Sequence, residues 1–331
     1  VNNAEDYKYS LVDSEEMLNA VVDYYADRYN AVIKADEITA VRGTQEGMAH
    51  LGMAILNPGD VVLLPDPGYP VFEAGSYLGG AEVYYYSLRK ENNCLPVIED
   101  VPEDVLNKTK YIVLSYPSNP VGASAPKEMY VRMIEYAKKY NFAIINDNAY
   151  SDIIFDGREG FSFLSLPGAK DVGVEFFSLS KSYNVTGLRI SFCIGNKSII
   201  DAFKLLRSQY DFGMSYPAQK AAIAALRGPR DSVKAQCAEY QRRRDALLNG
   251  LRKYGWNVPD SHGTMFVWLP VPEGYTSASF TEALMDKAGV IGTPGTAFGP
   301  LGEGYIRFAL TKSAEELAVI ADVIGQSGVL S

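Results

Sequence analysis

Short apolar runs keep alternating with stretches of helical periodicity along this chain of 331 residues, and that alternation restricts the architecture more than any other feature. "DVVLLPD" (60–66) is followed by a helix-like "PVFEAGSYLGG" (70–80) and then by "AEVYYYSL" (81–88). "KYIVLSYP" (110–117) leads through Pro126 into "KEMYVRMIEYAKKY" (127–140), which leads to "NFAIINDNAY" (141–150). "GVEFFSLS" (173–180) and "RISFCIGN" (189–196) follow. Apolar runs too short for helices, separated by helices, argue for βαβ units. In 127–140, Tyr130, Met133, Ile134 and Ala137 recur at helical spacing and form a stripe for the core. The expected fold is therefore α/β, a large, mixed but mostly parallel sheet flanked by helices.

The pattern changes near "LRGPRD" (226–231), where Gly228 and Pro229 interrupt it. A long helix is expected from about Asp231 to Tyr254. Beyond it the apolar runs shorten to "MFVWLPV", "GVIGT" and "YIRFAL", with helical stretches near Phe280–Ala288 and Ala314–Ile324. This reads as a small C-terminal α+β domain, 229–331, joined by the long helix to a large domain, 15–228.

Composition narrows the function. The net charge of −9 repels polyanions on average, and the one basic run, "QRRRDALL" (241–248), reads as a solvated helix face, so no nucleic-acid partner is expected. Cys94, Cys193 and Cys237 are odd in number and far apart, which suits a reducing compartment, and a cytoplasmic location is expected. Two histidines, His50 and His262, leave little for a metal site or a Ser-His-Asp triad, and no metal is expected. No apolar run is long enough to span a bilayer and no signal peptide opens the chain, so no membrane association is expected. The first residue is Val1, so a natural start further upstream is expected.

Open parallel sheets bind ligands beyond the carboxyl ends of their strands, and there the polar residues collect. Gly43, Thr44 and Gln45 open a helix after the strand at Ile38–Val41, where free N–H groups suit an anion. Tyr69 sits in the Pro-rich turn "PDPGYP", placed to stack on a flat ligand. Asn119 precedes Pro120 at another strand exit and offers an amide. Asp147 ends "AIIND", where a carboxylate needs a cationic or hydrogen-bonding partner, and Tyr150 follows it. "FFSLSKSYNVTGLR" (176–189) brings Ser178, Ser180, Lys181 and Arg189. Ser178 and Ser180, two apart, would share a face if the strand continued through both. Taken singly, each feature is also what a helix cap or a turn presents. Together they describe one ligand. It has a phosphate, a flat ring with a hydroxyl, a ring nitrogen that wants a carboxylate, and an aldehyde for a lysine: pyridoxal phosphate.

On these motifs the chain resembles the class I/II aminotransferases, pyridoxal-phosphate enzymes of fold type I, from Tyr9 to the C-terminal helix. "SLSKSYNVTGLR" matches the family pattern S-x-S-K-x(7)-R, "SNPVG" its N-P-x-G, and "NDNAY" its D-x-x-Y. The resemblance implies that Lys181 holds the cofactor covalently and moves protons, that Asp147 pairs with the pyridine nitrogen, and that Asn119 and Tyr150 bond the ring oxygen. Tyr69 would stack on the ring, and Gly43, Thr44, Gln45, Ser178, Ser180 and Arg189 would surround the phosphate. "YIRFALT" resembles the strand whose arginine binds the substrate α-carboxylate, which implies that role for Arg307, with Asn119 beside it. "YSLVDSEEML" resembles the segment whose tyrosine reaches the partner's phosphate. Tyr9 and the segment 1–14 would then contact a second subunit in a homodimer with shared sites.

Two departures stand out. Ser14 replaces a usual glycine, and only eight residues precede Tyr9 where relatives usually carry several dozen, so a missing or shortened front is expected. The implied activity is amino-group transfer from an L-amino acid to a 2-oxo acid, 2-oxoglutarate by family habit, in ping-pong fashion, of aspartate, alanine or LL-diaminopimelate type. Two alternatives stay open: a carbon–sulfur β-lyase on the same cofactor, and the aminotransferase-like domain of a transcription regulator.

Overall fold

The computed structural model describes residues 3–330; residues 1, 2 and 331, which the expected N-terminal segment and C-terminal domain include, lie outside them. Seven strands form one sheet: β1 (Ile38–Val41), β2 (Val61–Asp66), β3 (Glu82–Ser87), β4 (Thr109–Ser115), β5 (Ala143–Asn148), β6 (Gly173–Ser178) and β7 (Ser191–Gly195). Their order is β1-β7-β6-β5-β4-β2-β3. Pairs β2–β3, β2–β4, β4–β5 and β5–β6 are parallel, whereas β7 runs antiparallel to both its neighbours. The sheet is mostly parallel, as the alternating pattern implies, and the antiparallel β7 makes it mixed.

Its helices are α1 (Glu15–Tyr29), α2 (Thr44–Ile55), α3 (Val71–Gly79), the single turn α4 (Glu103–Leu106) and α5 (Lys127–Tyr140). They continue with the one-turn α6 (Ala169–Val172) and α7 (Leu179–Ser182), then α8 (Lys197–Ser208) and α9 (Tyr216–Arg227). One face of the sheet packs α1, α5 and α9 through Met17, Tyr25, Ile134, Phe177 and Ala222. The other packs α2, α3 and α8 through Leu51, Phe72, Phe176 and Phe203. Nearly continuous apolar strands follow from cover on both faces.

Ser14 is the N-cap of α1, its hydroxyl accepting from the Met17 N–H at 3.4 Å while its own N–H donates to Gln219. A serine suits that position better than a glycine does, because it satisfies one of the helix's free amides.

After α9 comes α10 (Asp231–Lys253), then β8 (Phe266–Pro270), α11 (Ser277–Ala288), β9 (Thr293–Pro294), β10 (Tyr305–Ala309) and α12 (Ala314–Gln326). Strands β8, β10 and β9 make a small antiparallel sheet. Of the stretch "GVIGT", expected as a strand, only Thr293 pairs there, together with the following Pro294. A second core gathers Leu247, Leu251, Phe280, Ile306, Phe308, Leu317 and Ile324, and it takes in Tyr150, Ile153 and Phe155 from beyond β5. The two cores therefore meet at the carboxyl ends of the large sheet's strands.

Candidate active site

The exits of β4, β5 and β6 supply the centre of the site. Asp147 is the penultimate residue of β5, on the face that carries Ile145 and abuts Phe176 of β6. Its carboxylate is buried, and burial pushes its pKa up to about 7, while the Ala149 N–H, the Ser115 hydroxyl and the charge of Lys181 draw it back. Its Oδ1 is sealed from solvent with no hydrogen-bond donor against it. A buried, unsatisfied carboxylate oxygen costs free energy, so its retention asks for a reason.

Lys181 supplies the neighbouring charge. The chain leaves β6 at Ser178 and turns at once into α7, so Ser178 and Ser180 do not share a strand face as the sequence spacing suggested. Ser178 instead caps α7, its hydroxyl accepting from the Ser180 N–H at 3.2 Å and from Ser191 Oγ at 2.9 Å. The tight turn places Ser178, Ser180 and Lys181 within one helical turn of each other. Burial lowers the Lys181 pKa, the positive charge of Arg189 lowers it further, and Asp147 opposes both. Gln236 of α10 donates to the Lys181 carbonyl at 2.6 Å, a contact no local motif announces.

Gly43 and Arg189 meet. Gly43 caps α2 with φ of 95°, and a side-chain carbon there would collide with the Arg189 guanidinium. Arg189 itself is left-handed, φ 53°, with Nη1 donating to the Thr186 carbonyl at 3.1 Å. A helix N-terminus with a guanidinium across it is an anion cup. Thr44 stands half-buried on its rim and Gln45 is exposed. Nearby, Glu46, His50 and Asp211 come within 4.8 Å of one another. Arg207 reaches Asp211 at 3.4 Å and Arg42 bonds the Asp211 carbonyl, so arginines already supply the counter-charge there.

The small sheet completes the cluster. Arg307 on β10 donates from Nη1 to Asn119 Oδ1 at 2.8 Å, although 188 positions separate them. Its guanidinium lies between two rings, 4.0 Å from the centroid of Phe266 and 4.5 Å from that of Phe298. Its Nε is buried without a partner. Burial lowers its pKa, and the Tyr150 and Tyr69 hydroxyls counter that. Tyr150 is buried, and its phenol is pushed well up by burial and by Asp147. Asn119, Asp147, Tyr150, Lys181, Arg307 and Tyr69 are thus drawn into one neighbourhood. Tyr9 is not: it is 83% exposed, with its ring edge on Phe212.

Comparison with known proteins adds the lineage. Residues 4–324 match the family described as aminotransferase class I and II. The chain belongs to this family. The aminotransferase is 48% identical over 299 residues to a protein of Dehalococcoides mccartyi named LL-diaminopimelate aminotransferase, covering 90% of this chain and 77% of that one. Among solved structures, an aminotransferase from Staphylococcus aureus superposes with a TM-score of 0.95 at 33% identity, covering 100% of this chain and 88% of the other. A probable N-succinyldiaminopimelate aminotransferase from Thermus thermophilus superposes at 0.93 with 32% identity, covering 98% and 88%. The aminotransferase is therefore an enzyme of the transaminase class with the α/β fold of these neighbours. Among its described residues no helix is long and apolar enough to cross a membrane.

Phe266, Phe298, Ser191 and Gln236 had drawn no attention in the sequence. Gln236 acts across 55 positions, Phe266 and Phe298 meet Arg307 from other elements of the fold, and all four lie in runs that read as ordinary strand, loop or helix. Only a fold could have brought them forward.

Proposed function

We propose that this aminotransferase uses pyridoxal 5′-phosphate to move an amino group from LL-diaminopimelate to 2-oxoglutarate. The observation that carries the cofactor reading is the orphaned, buried Asp147 Oδ1. A protonated ring nitrogen is the donor it lacks, and the same cluster offers an amine and an anion cup at Gly43 and Arg189. Gly43, Thr44, Gln45, Ser178, Ser180 and Arg189 would hold the phosphate, Tyr69 would cover the ring, and Asn119 and Tyr150 would bond its oxygen. When bound, the cofactor supplies an electron sink that acidifies the substrate Cα–H.

The chain's own residues do the rest. Asp147 keeps its proton-bearing partner charged. Lys181 would hold the cofactor covalently. Its Nζ, made less basic by burial and Arg189, would take the proton from the substrate Cα and deliver one to the cofactor's C4′ carbon. Arg307 grips the α-carboxylate, its guanidinium held by Asn119 and flanked by the two rings. Donor and acceptor would use the same pocket in turn, giving ping-pong kinetics.

The same reading divides the chain into a cofactor-binding domain, 15–228, and a small domain, 229–331. It makes the protein a cytoplasmic homodimer in which Tyr9 and the segment 1–14 serve the partner's site. The exposure of Tyr7, Tyr9, Leu11 and Val12 on that segment supports a covering partner.

The donor assignment rests on relatives such as the D. mccartyi protein. Its test is the visible absorbance of the purified, cofactor-loaded protein, titrated with LL-diaminopimelate, aspartate, alanine and cystathionine. LL-diaminopimelate should convert the spectrum at the lowest concentration. Turnover of aspartate or alanine alone would replace the donor, and pyruvate release from cystathionine would turn the reading to a lyase. Lys181→Ala should lose the lysine-bound absorbance and slow transfer by at least about 10²–10⁴-fold; full activity in that variant would refute the whole assignment.

A further inference from the structure

Phe298 covers one face of the Arg307 guanidinium, and the loop that carries it, 298–301, is held in an unusual way. Packing holds it on one side only: Phe298 lies against Trp268, while a cavity of about 260 Å³ lies between the loop and the exit of β2, lined by Asp66, Gly68, Tyr69, Phe72, Phe298 and Gly299. Polar contacts hold the other side. The Phe298 carbonyl accepts from the Gly68 N–H at 2.7 Å. The Leu301 N–H donates to Asp66 Oδ1 at 3.1 Å. Between them Gly299 adopts φ of 124° and lies so close that a side-chain carbon there would strike the Asp66 carboxylate. Asp66 is itself anchored, for its carbonyl accepts from the Leu88 N–H at 2.8 Å and its side chain is buried. Three residues on, the same turn carries Tyr69.

We infer that Asp66 is a positioning residue for the substrate-carboxylate pocket, clamping loop 298–301 so that Phe298 stays on the Arg307 guanidinium. The inference rests on the reading of Arg307 as the α-carboxylate site. A guanidinium binds a carboxylate through two parallel bonds only in one plane. Asn119 fixes one nitrogen of Arg307, and the Phe266 and Phe298 ring centroids stand 4.0 and 4.5 Å from its central carbon, limiting how far the guanidinium can turn. Without the clamp, Phe298 is free to withdraw into the adjoining cavity, water reaches the guanidinium, and carboxylate binding weakens. Amino donor and oxo-acid acceptor both carry an α-carboxylate, so both should suffer alike. The step that moves the Cα proton belongs to Lys181 and should be spared.

The test compares Asp66→Ala, Asp66→Asn and Arg307→Lys in the cofactor-loaded enzyme. KM and kcat are measured for both substrates, together with the affinity for maleate, a dicarboxylate that cannot react. Maleate binding is read by tryptophan fluorescence, since Trp268 packs edge-on against Phe298 at 5.7 Å. Asp66→Ala should raise both KM values and the maleate Kd together by about tenfold, the scale of one hydrogen bond to a charged group, with kcat changed by less than about threefold. Asp66→Asn keeps an acceptor at the Oδ1 position and should restore most of the affinity. If Arg307→Lys weakens maleate binding while a folded Asp66→Ala leaves it and both KM values unchanged, the clamp is refuted and the Arg307 reading survives. If Arg307→Lys changes neither, the Arg307 reading fails and the clamp falls with it. Should Asp66→Ala not fold, Gly299→Ala forces the loop away from the other side, and unchanged KM values there overturn the inference equally.

Discussion

Two buried carboxylates on neighbouring strands face opposite sides of the large sheet, and they are treated in opposite ways. Asp147 on β5 lies level with Phe176 of β6, while Asn146 lies level with Glu175, so strand alternation sends the two acids to different faces. Burial raises the pKa of both. Glu175 is surrounded by donors. Its Oε1 accepts from Tyr25 at 2.8 Å, Asn148 at 3.0 Å and Ser162 at 2.7 Å, and its Oε2 accepts from Asn146 at 2.9 Å and the Phe163 N–H at 3.0 Å. Asp147 has an oxygen with no donor at all. A carboxylate satisfied by its own fold organises that fold. One left unsatisfied in a polar cleft is held ready for something the fold does not contain.

The contrast breaks most easily on activity. Asp147→Ala should lower transamination by at least about a hundredfold, the scale of losing one buried charge partner, yet leave the protein folded. Glu175→Ala should do the reverse. Five donors would lose their acceptor, and the protein should lose about 3–5 kcal/mol of stability by chemical denaturation, with activity per folded molecule unchanged. If Glu175→Ala folds normally and loses turnover, or Asp147→Ala keeps its rate, the division of labour is wrong.

Acidity sharpens it. An acid whose pKa is 3.8 in the open chain and about 7 when folded retains its proton in the native state. Native stability is then greatest below pH 4, falls as pH rises between about 4 and 7, and stays reduced above, by on the order of 4 kcal/mol if the whole shift is expressed. Cofactor-free Asp147→Asn should lack that component. Its melting temperature should exceed that of the parent at pH 8 and match it near pH 4. Glu175, whose pKa is also raised, remains in both proteins and cancels from the difference. A constant difference between the two proteins across this range would show that Asp147 titrates like an exposed acid.

The two acids also differ in how far the sequence betrays them. Asp147 stands where an apolar run ends, a place where polar residues collect in any parallel sheet, so position alone recommends it. Glu175 sits inside "GVEFFS", which reads as a buried strand, and it passed unremarked there. A single acid within such a run is a signal, but its meaning lies in partners on α1, on β5 and in the 162–163 loop. Tyr25 lies 150 positions away. The same holds for Arg307. "YIRFAL" shows a strand, and nothing local says that Asn119 and two phenylalanine rings await its guanidinium; resemblance pointed to it, and the geometry explains it. Spacing misled at Ser178 and Ser180, because hydroxyls two apart fit a strand face and also fit a cap closing on its own turn. Periodicity thus exposed the sheet and its helices, and strand exits led to the cluster around Asp147 and Lys181. What stayed hidden are contacts across long separations, which no local pattern encodes.

The smallest expected effect is the most discriminating. Tyr25→Phe removes one donor from Glu175 and leaves the ring, which packs edge-on against Phe177 at 5.7 Å, in place. If Glu175 is ionised and shared among five donors, four remain, and the loss should be about 1.5–3 kcal/mol, as for one hydrogen bond to a charged group. If Glu175 is protonated, its own O–H needs an acceptor, and the Tyr25 and Ser162 hydroxyls on Oε1 can accept it without any rearrangement of the Asn146 and Asn148 amides. Tyr25→Phe would then cost less than about 1 kcal/mol, as for a neutral hydrogen bond, because Ser162 can take over, and the Ser162→Ala, Tyr25→Phe pair would cost far more than the sum of the singles. Additive losses in that cycle mark Glu175 as a charged hub of the fold; a strongly non-additive result would make it a neutral acid, and the contrast with Asp147 would then be one of satisfaction alone and not of charge.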